Sequence, residues 1–174
     1  MKSPDSNWVP SVMADYEKPL TRYAAHITGD IEQAREVVQD TFLKLCHQKP
    51  AQIHGHLAQW LYTVCRNRAL DVLRKERRMT GISNAQLQLQ AHSGPEVSTT
   101  MEKEEQLADV LDILGTLPAN QQEVIRLKFQ ADLSYLEISQ VTSLSVSNVG
   151  FLIHTGIKTI REKVQMQPAL RRVK

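Results

Sequence analysis

Several residue types that would mark other classes of protein are scarce or missing. The 174 residues include only two cysteines, Cys46 and Cys65, whose spacing fits no disulfide framework. Thiols this sparse are typical of a reducing compartment, and we expect both to be ordinary core residues. No apolar run approaches membrane length, and the amino terminus has no hydrophobic signal core. We therefore expect a soluble, cytoplasmic protein without a metal or other cofactor.

Net charge of one sign is also lacking. Lys and Arg number 21 against 19 Asp and Glu, which leaves a net charge of only +2. Any binding to a polyanion must therefore depend on where the charges lie, because the overall charge is too small. The chain also has no glycine-rich phosphate loop, no nucleophile elbow and no paired carboxylates in an apolar setting. We do not expect an enzyme.

The most informative segment that is present spans residues 58–78. It reads as one helix, apolar at its start and basic at its end, and positions 66–78 carry a charge of +4. A helix anchored at one end and cationic along one side suits a polyanion, DNA foremost; a solvated helix face would explain the same charges. The apolar residues at helical spacing, which predict a buried stripe, are Leu57, Trp60, Leu61, Val64, Cys65, Ala69 and Val72.

The pattern along the chain predicts an all-α protein of two small helical domains joined by a flexible linker. Residues 79–100 are rich in Gly, Ser, Asn and Thr and keep no apolar period, which is typical of a linker. We place the domains at 1–79 and 107–174, with the linker at 80–106. The predicted helices cover about residues 12–27, with a kink or restart at Pro19, then 30–45, 58–78, 101–114, 118–130, 134–141 and 145–164.

The segment Ser134–Ile157 is typical of a helix-turn-helix, the arrangement that places its second helix in the major groove. A capping box opens the first helix at Ser134, and Leu144 occupies the turn. The core residues we predict are Ile138, Val141, Val146, Val149 and Ile153. The residues we predict to face outward, where major-groove readers project, are Ser145, Ser147, Asn148, Phe151, Leu152 and Thr155.

This motif has little of the positive charge that DNA binding usually requires. No Lys or Arg stands between Lys128 and Lys158, so the recognition helix offers few phosphate contacts near its start. Lys158 lies further along and could reach the DNA backbone. We expect this half to bind DNA weakly by itself.

Together the two halves resemble the bacterial extracytoplasmic-function (ECF, group IV) sigma factors, the minimal specificity subunits of RNA polymerase. The resemblance covers residues 16–78 and 107–164, and the order and spacing of the segments carry it. The strongest segments are DIEQAREVVQDTFLKL (30–45), WLYTVCRNRALDVLRKERR (60–78), LPANQQEVIRLKF (117–129) and LSYLEISQVTSLSVSNVGFLIH (133–154).

The resemblance implies roles for the first domain. Its second helix would bind the clamp helices of the core polymerase, and its basic helix would hold the separated strand of the promoter's minus-ten element. The polymerase-binding surface would comprise Glu32, Glu36, Gln39, Asp40 and Lys44, although plain solvation suits these residues equally well. The minus-ten contacts would come from Gln52, His54 and His56 in the preceding loop, from Arg66 and Asn67 near bases, and from Arg74, Lys75, Arg77 and Arg78 on phosphates.

The helix-turn-helix would read the minus-thirty-five element, and here the chain departs from the family pattern. The turn usually has a glycine where Ser143 stands, so Ser143 must accept a mildly strained backbone. Arg68 replaces a usual apolar residue, and we expect it to pair with Asp71. The minus-thirty-five contacts would comprise Ser145, Ser147, Asn148, Phe151, Leu152, Thr155 and Lys158. Family members are often held inactive by an anti-sigma factor, and the sequence leaves open whether one exists for this chain.

Two alternatives stay open from the residues alone. A helix-turn-helix regulator could act without docking on polymerase. A zinc or redox switch could use the ligands clustered between positions 46 and 65, although their spacing matches no common zinc pattern. Those ligands are Cys46, His47, His54, His56 and Cys65.

Overall fold

The computed structural model describes residues 8–81 and 109–171, with side chains through Met166. All regular structure in these ranges is helical, which confirms the all-α prediction. The predicted linker lies largely outside the described residues. No helix within the described ranges is long and apolar enough to cross a membrane. The elements are α1 (Trp8–Thr28), α2 (Ile31–Cys46), α3 (Pro50–Ile53), a 3₁₀ turn (His54–His56), α4 (Leu57–Thr80), α5 (109–115), α6 (Ala119–Phe129), α7 (Tyr135–Thr142) and α8 (Val146–Arg171).

The junction between α1 and α2 follows the local sequence closely. Gly29 ends α1 with φ of 75°, a left-handed conformation that glycine adopts without steric cost. Asp30 caps α2, because its carboxylate accepts the Gln33 backbone N–H at 2.8 Å. The Gln33 side chain does not complete a capping box. It donates instead to Glu76 of α4 at 2.8 Å, which ties α2 to α4.

Two details of the first half differ from the sequence expectation. Helix α1 runs through Pro19 without a restart. The segment before α4, where we predicted a loop, contains the short helix α3, with Pro50 in its first turn, followed by a 3₁₀ turn. Cys65 is buried as predicted, but the prediction that Cys46 is a core thiol was wrong, because Cys46 ends α2 and is exposed.

The helix-turn-helix prediction is confirmed at its caps and its turn. Ser134 and Glu137 form the complete capping box, with the Ser134 N–H donating to the Glu137 carboxylate at 2.8 Å. Ser143 has φ of 61°, the left-handed conformation predicted for the turn. The Ser139 hydroxyl donates to the Leu144 carbonyl at 2.6 Å, which fixes the angle between α7 and α8.

The orientation of α8 corrects two predictions. Leu152, predicted to face DNA, is buried with 6% of its surface exposed, whereas Val146, predicted to be core, is 43% exposed. Leu152 lies three residues after buried Val149 and four before buried Gly156, so it is on the same side of the helix as these residues. Val146 is the first residue of α8 and precedes this packed stretch.

The two halves of the chain pack against each other. One buried apolar cluster includes residues of α1, α2 and α4 together with residues of α6, α7 and α8, and α4 packs directly on α7. A smaller cluster joins α5, α6 and α8 around Leu114, Leu117 and Ile125. This packing therefore sets the position of one half relative to the other.

Candidate nucleic-acid interface

The carboxyl-terminal end of α4 presents a group of cationic side chains. Arg74, Lys75 and Arg78 are exposed and Arg77 is half-buried, and Gly81 ends the helix with φ of 68°. Positive charge at this end of a helix also interacts favourably with the helix dipole. The Arg74–Asp71 pair, at 3.0 Å, is exposed on both sides and holds Arg74 only weakly. Three of these four cations are therefore accessible to an anionic ligand from solvent.

Arg66 and Asn67 are neighbours in sequence but face different surroundings. Asn67 is exposed, as the minus-ten prediction requires. Arg66 instead faces the other half of the chain, and its Nε donates to Glu123 Oε1 at 2.7 Å while its Nη2 donates to Oε2 at 3.2 Å. In this packed arrangement the carboxylate of α6 engages Arg66, so the expected contact of Arg66 with minus-ten bases stays a prediction that requires this pair to break.

Burial strengthens this contact between the halves. The Arg66 and Glu123 side chains are 19% and 12% exposed. Burial disfavours the charged guanidinium, but the hydrogen bonds and charge of Glu123 outweigh this, so the pKa of Arg66 is raised. The Tyr23 hydroxyl donates to the same Oε1 at 2.8 Å, and burial followed by the Glu123 charge raises the pKa of Tyr23 well above its ordinary value.

The outer side of α2 carries the predicted polymerase-binding residues. Glu32, Glu36, Gln39 and Lys44 are exposed. Asp40 is half-buried and accepts from Arg68 Nε of α4 at 2.6 Å. The expected Arg68–Asp71 pair was wrong, because Arg68 lies on the α2 side of its helix.

The loop before α4 presents its predicted residues to solvent. Gln52, His54 and His56 are exposed, while Ile53 is buried and anchors the segment. No cluster of three or more potential metal ligands occurs in residues 8–81 or 109–171. Burial raises the pKa of Cys65 to about 12, so its thiol stays protonated and is a poor metal ligand.

The start of α8 presents a polar surface with one large apolar side chain. Ser147 and Asn148 are exposed, Phe151 is 64% exposed and Thr155 is half-buried. The Ser145 hydroxyl is exposed, and it accepts the Asn148 N–H at 3.2 Å and so caps the helix. Lys158 is exposed, with only a long 4.0 Å contact to Glu162. Because Leu152 is buried, it does not belong to this surface.

Sequence reasoning missed Glu123 and Arg126 of α6. Both are charged residues next to buried apolar ones, namely Val124, Ile125 and Leu127. A charge in such surroundings is a signal that it needs a partner from elsewhere in the fold. The partner of Glu123 is 57 positions away, so no local pattern could have identified it.

The comparisons with known proteins agree with this arrangement. The family Sigma-70 region 2 matches residues 12–79, and the family Sigma-70, region 4 matches residues 107–160. These two matches define the class: a protein with the two promoter-recognition regions of sigma-70 factors. The chain is 32% identical over 152 residues to ECF RNA polymerase sigma factor SigL of Mycobacterium tuberculosis, which covers 84% of this chain and 82% of SigL. The chain belongs to the ECF RNA polymerase sigma factor family.

A more distant relative and two solved structures extend the likeness. ECF RNA polymerase sigma factor SigM of Bacillus subtilis is 23% identical over 137 residues, covering 76% of this chain and 80% of SigM. The sigma factor RpoE in complex with the anti-sigma factor NepR from Bartonella quintana has a TM-score of 0.65 at 19% identity, covering 91% of this chain and 98% of RpoE. CnrH in complex with the cytosolic domain of CnrY has a TM-score of 0.59 at 20% identity, covering 93% and 90%. At these identities, the two structures show a common fold.

Proposed function

We propose that this protein is an RNA polymerase sigma factor that directs promoter-specific transcription initiation by binding core polymerase and promoter DNA. The observation that carries this proposal is the exposed cationic end of α4, which concentrates positive charge in a chain of nearly balanced composition. A second DNA-reading element, the helix-turn-helix, stands in the same chain. The polymerase would supply the catalysis. We place the protein in the cytoplasm and in the group IV class.

Each part of the chain has a proposed task. We assign residues 1–79 to region 2, residues 80–106 to the linker, and residues 107–174 to region 4. Arg74, Lys75, Arg77 and Arg78 neutralise phosphates of the minus-ten strand, because such contacts supply most non-specific affinity. Asn67 lies beside them and contacts a base, while the exposed loop residues Gln52, His54 and His56 enclose a flipped base.

Core polymerase docks on the exposed side of α2. Glu32, Glu36, Gln39 and Lys44 supply this surface, and Asp40 contributes through its pair with Arg68. The alternative function is a helix-turn-helix regulator that acts without docking on polymerase, and such a regulator would not need this surface. Co-purification with core polymerase distinguishes the two, because only the sigma factor should be retained.

Region 4 reads the upstream element through the exposed start of α8. Ser147, Asn148 and Phe151 are exposed there and would contact the bases. Ser145 and Thr155 lie at the edges of this surface, and Lys158 would contact the DNA backbone. Phe151 supplies an apolar contact suited to a thymine methyl group. The solved relatives RpoE and CnrH are bound to NepR and CnrY, and an anti-sigma factor is by analogy a further partner of this chain.

Reconstituted transcription tests the proposal. Holoenzyme is assembled from core polymerase and the full chain, and initiation is measured on promoters identified from transcripts after overexpression. Neutralising four cations together (Arg74→Gln, Lys75→Gln, Arg77→Gln, Arg78→Gln) should strongly reduce open-complex formation and flatten the salt dependence of the residual activity. A matched variant that keeps the charge (Arg74→Lys, Arg77→Lys, Arg78→Lys) should retain most activity. Equal initiation by the neutralised variant would refute the proposal.

A further inference from the structure

A small cleft lies where the two halves of the chain meet. It encloses about 260 Å³, counting the space at its open mouth, and both halves contribute to its wall. None of the lining residues is acidic, and two are arginines. The lining residues are Pro19, Arg22 and Tyr23 of α1, Tyr62 of α4, Arg126 of α6, and Gln130, the residue that follows the end of α6.

Arg126 is the unusual member of this wall. Only 8% of the residue is exposed, and its Nε has no hydrogen-bond partner among the described residues. Burial lowers the pKa of Arg126 to about 10, a value at which the guanidinium is still charged at neutral pH. A buried cation without a counter-charge is costly, and such a group calls for a missing partner.

No neighbouring carboxylate in the described residues supplies that partner. Glu123, one helical turn earlier on α6, has its two oxygens engaged by Arg66 and Tyr23. None of the ion pairs among the described residues involves Arg126 or Arg22. The cleft therefore has two positive groups and no negative one.

The other side chains of the cleft can act as hydrogen-bond donors. Arg22 is exposed and adds a second guanidinium from the opposite half of the chain. Burial raises the pKa of Tyr62, so its hydroxyl keeps its proton, and Gln130 offers an amide. Arginine forks match the geometry of phosphate oxygens and bind them in pairs.

We propose that this cleft is an oxyanion site that binds a phosphate group, either free or on a small phosphorylated molecule, between Arg126 and Arg22. The cleft is open to solvent, so a phosphoryl group would bind at its mouth and the rest of a larger ligand would project outward. Because the two arginines belong to different halves, the bound anion holds the halves together. It thereby stabilises the arrangement in which Arg66 is engaged by Glu123.

Thermal unfolding of the full chain tests the site, with inorganic phosphate compared with chloride at equal ionic strength. Phosphate at roughly tenfold above its Kd should raise the Tm by about 3–6 °C. Arg126→Met should remove this response and Arg22→Gln should weaken it. Arg35→Gln, an exposed arginine on α2 that pairs with Glu32, is the control and should respond like the wild type. No phosphate-specific shift, or an equal shift in Arg126→Met, would overturn the proposal.

A second variant separates a free ligand from the chain's own carboxylates. Glu102, Glu104 and Glu105, in the part of the chain that is not described, carry the same oxyanion chemistry. In the triple variant (Glu102→Gln, Glu104→Gln, Glu105→Gln), the phosphate response should match that of the wild type. A response confined to this variant would mean that the chain fills its own site, and would overturn the proposal of a free ligand.

Förster resonance energy transfer between two fluorescent labels, one on each half, reports on the packing of the two halves. Cys46 on α2 is exposed, and Ser147→Cys places a second label on α8, while Cys65 is buried. Phosphate should increase the population with high transfer, and the addition of Arg126→Met should abolish that increase. If phosphate raised the Tm but left the energy transfer unchanged, the claim that the bound anion holds the two halves together would be overturned. Neither measurement uses polymerase or DNA, so failure here is distinct from failure of the sigma-factor proposal.

Discussion

Arg66 of α4 and Glu123 of α6 form a two-bond ion pair across the junction of the two halves, at 2.7 and 3.2 Å. Both side chains are mostly buried, and Tyr23 donates to the same carboxylate. Arg66 is also the residue that the family resemblance places near the minus-ten bases. The same guanidinium therefore cannot serve both contacts at once, and DNA binding by Arg66 requires this pair to break.

The first prediction concerns stability. Glu123→Gln should lower the free energy of unfolding by about 1–3 kcal/mol, because it leaves the buried Arg66 cation without its counter-charge. Urea denaturation of the full chain measures this. In a double-mutant cycle, adding Arg66→Met should recover much of the loss. Strictly additive effects would show that the two residues do not interact.

The second prediction concerns access to DNA. Glu123→Gln should raise the affinity of the chain for a single-stranded oligonucleotide by roughly threefold to tenfold, which corresponds to one net hydrogen bond of about 0.7–1.4 kcal/mol. The reason is that Arg66 becomes free to bind a phosphate or base. Fluorescence anisotropy measures the change. If Arg66→Gln combined with Glu123→Gln showed the same gain, Arg66 would not be its source.

The third prediction uses two glycines of α8 as a matched pair. A Cβ on Gly156 would lie 2.6 Å from Ile125 Cδ1, inside the packed contact between α8 and α6, whereas a Cβ on Gly150 would meet only Tyr135, at 3.5 Å. Gly150→Ala should stabilise the protein by about 0.5–1 kcal/mol through its helix propensity. Gly156→Ala should be about 1 kcal/mol less stable than Gly150→Ala, because the Ile125 methyl must move while Leu117 and Gln121 also lie 3.4 Å from the added Cβ. Urea midpoints of the two variants provide the comparison, and equal stabilisation would contradict it.

The fourth prediction concerns pH and the capping box of α7. Hydrogen bonds from the Ser134 side chain and then its backbone N–H lower the pKa of Glu137. A carboxyl whose folded pKa is depressed contributes stability above its unfolded pKa of about 4.3, and this contribution is lost as the pH falls through the lower folded value. Glu137→Gln should therefore reduce the loss of Tm between about pH 5 and pH 3.

The control for this titration is Glu36→Gln, an exposed substitution on α2 away from any helix cap. Its Tm should fall with pH as steeply as that of the wild type. A Glu137→Gln profile parallel to the wild type would show that the capping carboxylate does not contribute to acid sensitivity.

Most of the helices were predictable because their signals are local. The capping box at Ser134, the cap at Asp30 and the turn conformation of Ser143 depend on residues within a few positions of one another. Of the buried stripe predicted for α4, Leu61, Cys65 and Ala69 are fully buried. Its other members, Leu57, Trp60, Val64 and Val72, are half-buried, and the spacing missed the buried Tyr62. The side of α8 that faces the core was predicted less well, since Leu152 was placed outside and Val146 inside.

The sequence by itself therefore determined the all-α class, the helix-turn-helix, the cationic end of α4 and the family, because each depends on periodicity, capping or motif order. Only the tertiary structure decided which partner each charged side chain meets. Arg66 pairs with Glu123, Arg68 with Asp40, and Arg126 lines a cleft without a counter-ion. The physical reason is that these two ion pairs and this cleft join residues far apart in the chain, and their distances depend on how whole helices pack rather than on any local pattern.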